Sequence, residues 1–134
     1  MSEAFPLPTK PEDIIPSLVK RFGSGDVSNQ MEMYDPEAVF VANDGQIIKD
    51  HAEISAIIGR DIKLGARLAT NVRHIFVAGD IAQIVLDWSI DGKGPDGRAV
   101  HLHGTACDIV RRGADGFWRY LIDNNQGTAV RSAG

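Results

Sequence analysis

The first half of the chain repeats its apolar residues at the spacing of α-helices. A period near 3.6 predicts a first helix, carried by Ile14, Ile15, Leu18 and Phe22. This helix should end at Gly23 or Gly25. Thr9 and Glu12 stand before it at the spacing of a capping box. Pro16 must then lie in the first turn, because a proline further inside would break the helix.

Two further helices are expected before the main run of strands. A short helix is predicted from about Val27 to Tyr34, where Pro36 stops it. A longer one follows Asp50, whose side chain can cap its first turn. Its apolar stripe consists of Ile54, Ile57, Ile58 and Ile62.

The apolar period then changes from 3.6 to 2, and Gly- and Asp-containing turns separate the apolar runs. Six strands are predicted, at residues 37–43, 45–49, 66–78, 81–91, 98–112 and 117–126. The last four are long enough to form a strongly curved antiparallel sheet. Helices followed by a long run of hairpins indicate an α+β fold.

Composition limits the classes of function. The 134 residues suffice for one domain, and the net charge of −4 with scattered Lys and Arg gives no basic surface for nucleic acid. No stretch predicts a membrane span or a secretion signal, and Cys107 is the only cysteine, so a cytoplasmic protein is expected. Residues 1–10 are expected to form a flexible arm and residues 128–134 a frayed tail around the domain.

Several segments, in their order along the chain, resemble one superfamily. They are Gly25-Asp26, residues 34–40 (YDPEAVF), residues 50–54 (DHAEI) and residues 116–124 (GFWRYLIDN). Residues 11–127 resemble the SnoaL-like and ketosteroid-isomerase-like branch of the nuclear transport factor two-like superfamily. The resemblance implies a cystatin-like cone, with about three N-terminal helices packed in a curved, mixed, mostly antiparallel sheet of about six strands. It also implies an apolar interior and a homodimer formed through the outer sheet face.

The long hairpin of residues 81–91 and 98–112 separates into two faces. We expect Asp87 opposite His101 and Ile84 opposite Gly104. The apolar face, expected to line the cone, carries Ile84, Leu86, Trp88, Leu102, Gly104, Ala106 and Asp108. The small residues among them leave room for a ligand.

The last hairpin determines which polar groups reach the interior. Pairing of Arg112 with Phe117 places Leu121 beside Asp108 and makes Asp123 a diagonal neighbour of Asp108. Two carboxyl groups in one dry cavity cannot both ionise cheaply, so Asp108 and Asp123 are the candidate catalytic acid and base. A β-bulge would instead turn Tyr120 and Asn124 inward.

Structural explanations of the same residues remain open. Asp108 can bond a backbone amide or pair with Arg111, Arg112 or Arg119, and residues 123–125 can simply end a strand. The candidate ligand-binding residues are Leu18, Tyr34, Phe40, Ile84, Leu86, Trp88, Leu102, Leu121 and Asn125. Core packing explains the aromatic ones equally well.

The comparison with ketosteroid isomerases fails in two of three positions. Those enzymes use an Asp base together with a Tyr and a protonated Asp. Asp108 falls at the position of the protonated Asp, but Ala42 and Leu18 stand where the base and the Tyr are needed. Steroid isomerisation by that mechanism is therefore not expected. The resemblance to polyketide cyclases suits Asp123 as an acid–base residue.

Other chemistry is less favoured. His101 and His103 share one strand face, and Asp87 could complete a metal site with them, but a hydrogen bond or dimer contact is the simpler interpretation. No metal or cofactor is expected. Three functions stay open: acid–base catalysis on a small carbonyl or polyketide-like compound, non-catalytic binding of a small apolar molecule, and a dimeric association module with a closed cone. The first two are favoured jointly.

Overall fold

A computed structural model describes residues 5–129 of the chain. The three α-helices are α1 (Ile14–Gly23), α2 (Val27–Met31) and α3 (His51–Lys63). The six strands are β1 (Tyr34–Val41), β2 (Ile47–Ile48), β3 (Arg67–Ala78), β4 (Ile81–Lys93), β5 (Ala99–Arg112) and β6 (Trp118–Asp123). Single turns of 3-10 helix precede α1 at Pro11–Asp13 and follow β6 at Gly127–Ala129.

All six strands form one curved sheet in the order β2-β1-β6-β5-β4-β3. Neighbouring strands are antiparallel except β1 and β6, which pair in parallel. The three helices pack against the inner face, where their apolar stripes meet the alternate residues of β4, β5 and β6. The predicted α+β class and mixed, mostly antiparallel sheet are confirmed.

The first helix begins and ends as expected, but its predicted cap does not form. Pro16 lies in the first turn of α1, and α1 ends at Gly23. Lys10 rather than Thr9 precedes the opening turn, and no side chain caps it. The reason is Pro11, which forces the residue before it into an extended conformation and so excludes Lys10 from the turn. Thr9 is then one residue too far away.

The second helix is shorter than predicted, because α2 ends at Met31 and β1 already begins at Tyr34. Pro36 therefore lies inside a strand instead of stopping a helix. The pairing between β1 and β6 is interrupted between Tyr34 and Val39, so the missing N–H of Pro36 costs no ladder hydrogen bond there. In the third helix, the predicted cap is confirmed: Asp50 accepts a hydrogen bond from the backbone N–H of Ala52.

The long hairpin of β4 and β5 has the predicted faces but a different register. Ile84 lies opposite Asp108, and Asp87 lies opposite Thr105, so the expected partners Gly104 and His101 are wrong. The turn lies at Gly94–Gly97, later than the prediction assumed. Each partner is displaced by an even number of residues, and the alternation of faces is therefore unchanged.

Arg21 on α1 ties the N-terminal segment to the domain. It is fully buried and donates hydrogen bonds to the carbonyl oxygens of Phe5 and Asn29 and to the side chain of Glu32. The Pro8 carbonyl also accepts a hydrogen bond from the backbone N–H of Trp118. Residues 5–8 of the predicted arm are thus bonded to the domain, whereas its residues 1–4, and residues 130–134 of the predicted tail, lie outside the described residues.

We predict that Arg21→Met lowers the free energy of unfolding by about 3 kcal/mol, because several buried carbonyl oxygens lose a charged donor. Urea denaturation measures this change. The control is Arg112→Met, which removes a half-exposed ion pair with Asp80 and should cost less than about 1 kcal/mol. Equal losses in the two variants would show that the Arg21 network is not a major support of the fold.

Candidate functional site

A cavity of about 90 Å³ lies between the helices and the inner face of the sheet. Its apolar lining includes Leu18, Phe22, Phe40, Ile57, Ile58, Leu68, Leu86, Trp88, Ile90 and Ala106. Its polar lining consists of Gln30, Asp61, Thr70, Asp108, Tyr120, Asp123 and Asn125. Apolar walls with a few convergent polar groups are typical of a small-molecule site.

A second depression, of about 290 Å³, adjoins this cavity and is called the vestibule here. The two spaces share five lining residues, which we call the neck: Phe40, Ile57, Asp61, Trp88 and Asn125. Beyond the neck, the vestibule is lined by Arg60, Leu102 and His103, among others. The neck therefore separates a small inner space from a larger outer one.

A β-bulge in β6 brings the polar groups of that strand into the cavity. Val110 pairs with Tyr120 but Ile109 pairs with Ile122, so Leu121 is the extra residue. As a result Tyr120 and Asp123, three residues apart, both line the cavity. The expected inward position of Leu121 is wrong, and so is the alternative that a bulge turns Asn124 inward with Tyr120. Regular pairing correctly placed Asp123 inward, and the bulge alternative correctly placed Tyr120 inward.

The two carboxyl groups are deeply buried and are not paired with any arginine among residues 5–129. Asp108 on β5 is 3% exposed and Asp123 on β6 is 6% exposed. The backbone N–H of Asn124 donates to Asp108 Oδ1 at 2.8 Å, and the Tyr34 hydroxyl donates to Asp123 Oδ2. One structural alternative, a backbone amide bonded to Asp108, is therefore present, but it satisfies only one oxygen.

The arginines that could have neutralised Asp108 have other partners. Arg111 pairs with Asp35 at 2.7 Å, Arg112 with Asp80, and Arg119 with Asp115 at 2.7 Å. All three ion pairs lie outside the cavity lining. The carboxyl groups of Asp108 and Asp123 thus meet no described basic side chain inside the cavity.

Burial changes the ionisation of both carboxyl groups. Burial, together with the nearby Asp123 carboxylate, raises the pKa of Asp108 well above its ordinary value. Burial also raises the pKa of Asp123 to about 6, although the hydrogen bond from Tyr34 acts in the opposite direction. Near neutral pH, Asp123 is therefore mainly a carboxylate, and Asp108 holds its proton more tightly than an ordinary carboxyl group does. A base and a proton donor need these two tendencies.

Two polar groups of the cavity wall lack a hydrogen-bond partner among the described residues. They are the Tyr120 hydroxyl and Gln30 Oε1, both on buried side chains. A buried polar group without a partner is costly and uncommon in native structures. Both side chains line the cavity, so a bound molecule could satisfy these groups after a small shift of the side chains.

The remaining predicted residues occupy three kinds of position. Leu18, Phe40, Leu86, Trp88 and Asn125 line the cavity as expected. Tyr34 and Ile84 are buried behind the lining, where Tyr34 contacts two lining residues, Asp123 through its hydroxyl and Tyr120 through its ring. Leu102 is 42% exposed and lines only the vestibule, because it lies near the turn of the hairpin.

Apart from Leu18, sequence reasoning missed the residues that the helices and β3 contribute to the cavity. Phe22 and Gln30 come from α1 and α2, Asp61 from α3, and Leu68 and Thr70 from β3. An inward Asp61 could have been suspected, because it follows Ile54, Ile57 and Ile58 at helical spacing. The orientation of the helices against the sheet carries no local sequence signal.

Two close approaches shape the neck. The Trp88 indole donates from Nε1 to the Asn125 carbonyl at 2.7 Å. A Cβ on Gly104 would lie 3.1 Å from the indole ring, so glycine leaves the room that the ring occupies. Gly127, at φ +47°, approaches Thr105 so closely that a Cβ would lie 2.4 Å from its carbonyl oxygen. These contacts hold the segment with Asn125 against β5.

The alternative metal site on the outer face does not have the expected geometry. Asp87 bonds Arg73 and Thr105, at 2.8 Å each, while His101 contacts Asp91. The expected pair of Asp87 and His101 is therefore wrong. Between residues 5 and 129, no group of three or more His, Cys, Asp and Glu side chains is arranged to hold a metal ion. No helix in that range is long and apolar enough to cross a bilayer.

Comparison with known proteins identifies the family. Residues 17–121 match the SnoaL-like domain model. The chain belongs to the SnoaL-like domain family. No curated protein matches this SnoaL-like chain by sequence.

Solved structures with the same fold have diverse names. An NTF2-like superfamily protein from Salmonella enterica is 19% identical with TM-score 0.72, covering 92% of this chain and 89% of that one. A ketosteroid isomerase-like protein from Erwinia carotovora is 12% identical with TM-score 0.70, covering 84% and 88%. A candidate calcium/calmodulin-dependent protein kinase II association domain from Xanthomonas campestris is 11% identical with TM-score 0.71, covering 95% of both. At these identities the likeness shows the fold alone.

The raised carboxyl pKa predicts how stability depends on pH. A carboxyl whose pKa is raised from 3.8 to about 6 binds its proton more tightly in the folded state, so its contribution is present below pH 3.8 and lost as the pH rises through 6. We expect Asp123→Asn to gain about 3 kcal/mol relative to the wild type between pH 4 and pH 8.

Urea denaturation at both pH values measures this gain. Asp80→Asn, which alters an exposed carboxylate paired with Arg112, is the control and should show no such gain. A difference between Asp123→Asn and the wild type that does not change with pH would refute the raised pKa.

Proposed function

We propose that this SnoaL-like protein is an enzyme that performs acid–base chemistry on a small, largely apolar carbonyl compound. The observation that carries the proposal is the pair of buried carboxyl groups, Asp108 and Asp123, in an apolar cavity without a basic partner among the described residues. A core of this kind is less stable than an apolar one, which favours a functional reason for both groups. The family match and the ketosteroid isomerase-like fold neighbour agree with this class of chemistry.

In the proposed reaction, Asp123 is the general base. Its carboxylate removes a proton from the carbon next to the substrate carbonyl, and the electron pair moves into the carbonyl group to form an enolate or enol. Asp123 then returns the proton to the same carbon or to another carbon of the conjugated system. Tyr34 is a positioning residue here, because its hydroxyl hydrogen bond orients the Asp123 carboxyl group and favours its ionised form.

Asp108 and Tyr120 are the proposed donors to the substrate oxygen. Neutral Asp108 has one oxygen bonded to Asn124 N–H, which leaves its acidic O–H for the substrate. The unpartnered Tyr120 hydroxyl lines the same cavity and can donate a second hydrogen bond. Donors placed where negative charge develops lower the barrier most when water is excluded.

The size of the cavity supports a small substrate. Its volume of about 90 Å³ is below the roughly 150 Å³ of an apolar cavity that holds benzene. The carbonyl end of a substrate would occupy this inner space, and any larger part would extend through the neck into the vestibule. A rigid steroid in the inner cavity does not suit these dimensions.

Proton exchange in heavy water tests the proposal. We expect the protein to catalyse exchange of the α-protons of cyclopentanone or 2-pentanone for deuterium, measured by NMR. Asp123→Asn should lower the catalysed rate at least about 100-fold, and Tyr120→Phe about 10- to 100-fold. Asp80→Asn, which alters an exposed ion pair outside the cavity, should leave the rate unchanged.

The same experiment separates the alternatives. Binding of these ketones without exchange above the buffer rate would contradict catalysis and support a non-catalytic binder of small apolar molecules. Absence of both binding and exchange would support an association module. The cavity and the open vestibule argue against a closed cone.

We also propose a homodimer through the outer sheet face. The outward side chains there include His74, Phe76, Gln83, Val85 and Ile109, of which Phe76 is 57% exposed and stacked on His74. An exposed apolar ring on a half-buried sheet face is typical of an association surface.

Sedimentation measures the dimer. Phe76→Asp is expected to shift it at least tenfold towards monomer, since burial of a carboxylate on that face costs more than about 1.4 kcal/mol. Ile47→Asp makes the same change at an exposed apolar residue of β2, at the opposite edge of the sheet, and should have no effect. A wild-type monomer, or dimers of equal strength in both variants, would refute this surface.

A further inference from the structure

The neck is built like a binding site for an organic cation. Two of its five residues, Phe40 and Trp88, present aromatic rings, and one, Asp61, carries a carboxyl group. Cations are attracted to aromatic faces, most strongly to that of tryptophan, and sites for quaternary or protonated nitrogen commonly combine such rings with a carboxylate. None of the five neck residues is basic.

Asp61 has no evident structural reason to be acidic. It lies in the last turn of α3, where the negative end of the helix dipole disfavours a carboxylate. No side-chain hydrogen bond or ion pair involves it among the described residues, even though Arg60 is its chain neighbour. Burial raises the pKa of Asp61, and the charge of Arg60 only partly opposes that effect. A cation bound at the neck would stabilise the Asp61 carboxylate and offset this electrostatic cost.

The charge of the inner cavity also favours a cationic ligand over an anionic one. All the Asp, Glu, Lys, Arg and His side chains among its described lining residues are acidic: Asp61, Asp108 and Asp123. An anionic group in this space would meet carboxylates without any compensating base, at a cost that low polarity increases. A neutral or cationic group does not meet that cost.

An independent observation points to a hydrogen-bond donor in the ligand. Gln30 is 6% exposed, lines the cavity, and leaves its Oε1 without a partner. A carbonyl oxygen accepts hydrogen bonds, so an N–H group of a bound molecule would satisfy it after a small shift of the side chain. Gln30 lines the inner cavity and not the vestibule, so this acceptor supports a donor group in the ligand but does not locate the nitrogen.

We infer that the substrate of this site is a small carbonyl compound that carries a protonated nitrogen, with the nitrogen held at the neck by Asp61 and Trp88. The inference rests on the proposed function for the position of the carbonyl end beside Asp108 and Asp123. The position of the nitrogen rests only on the neck and its charge. We expect compounds that carry a carboxylate or phosphate at the same place to bind more weakly, even though Arg60 lines the adjoining vestibule.

Three ring compounds of similar size test the charge preference. They are cyclopentylamine, cyclopentanone and cyclopentanecarboxylate, titrated at pH 7.5 with binding followed by NMR or calorimetry. We expect the amine to bind roughly tenfold more tightly than the ketone, which corresponds to one desolvated charge contact, and the carboxylate to bind weakest. A ketone that binds as tightly as the amine, a preference for the carboxylate, or no binding of any of the three would overturn the inference.

Two variants locate the contact. Asp61→Asn should lower amine affinity about tenfold and ketone affinity by a much smaller factor, whereas Asp80→Asn should change neither. Trp88→Leu should weaken the amine more than the ketone, since it removes the ring but keeps an apolar side chain. An amine preference that survives Asp61→Asn would refute the assignment of the neck.

The result is separate from that of the exchange experiment. Ketone exchange without amine preference would remove only the inference about nitrogen, and amine binding without exchange of any ketone would remove only the proposed catalysis.

Discussion

The burial of two carboxyl groups in one apolar cavity is the constraint on which the rest of this structure depends. Each group loses hydration there, and the charge of one opposes the ionisation of the other. The chain has arginines close by in sequence, yet Arg111 and Arg119 turn to carboxylates outside the cavity. The interior therefore keeps its acidic character, and the fold accepts a loss of stability near neutral pH.

The β-bulge at Leu121 is the device that makes this cavity possible. In a regular strand, Tyr120 and Asp123 would point to opposite faces, because they are an odd number of residues apart. The extra residue, Leu121, places Tyr120 and Asp123 on the same face of the sheet. The bulge thus adds a phenol and a carboxyl group to a wall to which β5 already contributes Asp108.

The same bulge shows where inference from sequence ends. The inner faces of β4 and β5 were predictable, since an even displacement of the register leaves the alternation of Ile84, Leu86 and Asp108 intact. The helices were predictable from their period and, for α3, from the cap at Asp50. A bulge has no comparable signature in a short strand, so Leu121 and Tyr120 were assigned to the wrong faces by simple alternation.

The helix residues of the cavity were beyond sequence reasoning for a different reason. Gln30 and Asp61 reach the cavity only because α2 and α3 lie in particular orientations against the sheet, and tertiary packing sets those orientations. The resemblance to ketosteroid isomerases did not reveal them either, because it directed attention to Leu18 and Ala42. Leu18 does line the cavity, whereas Ala42 lines only the vestibule.

This placement explains how the site can lack the expected residues and still hold acid–base groups. A base at position 42 would lie outside the neck, whereas Asp123, the base of the proposed reaction, lines the inner cavity. Likewise, the phenol that position 18 lacks is present on the opposite wall as Tyr120. Both replacements come from β6, the strand that the bulge reshapes.

The burial of the cavity connects the basicity of Asp123 to the size of the molecules that fit. In the proposed binding mode, a molecule exchanges its surrounding water for the lining of a space of about 90 Å³ when it passes between Phe40 and Trp88. The same exclusion of water raises the pKa of Asp123 to about 6, so that its carboxylate is a stronger base than one in solution yet still ionised at pH 7. A wider neck would admit larger substrates but also water, and it would lower that pKa. In the proposed reaction, the residues of the neck therefore affect both the size of the substrate and the strength of the base.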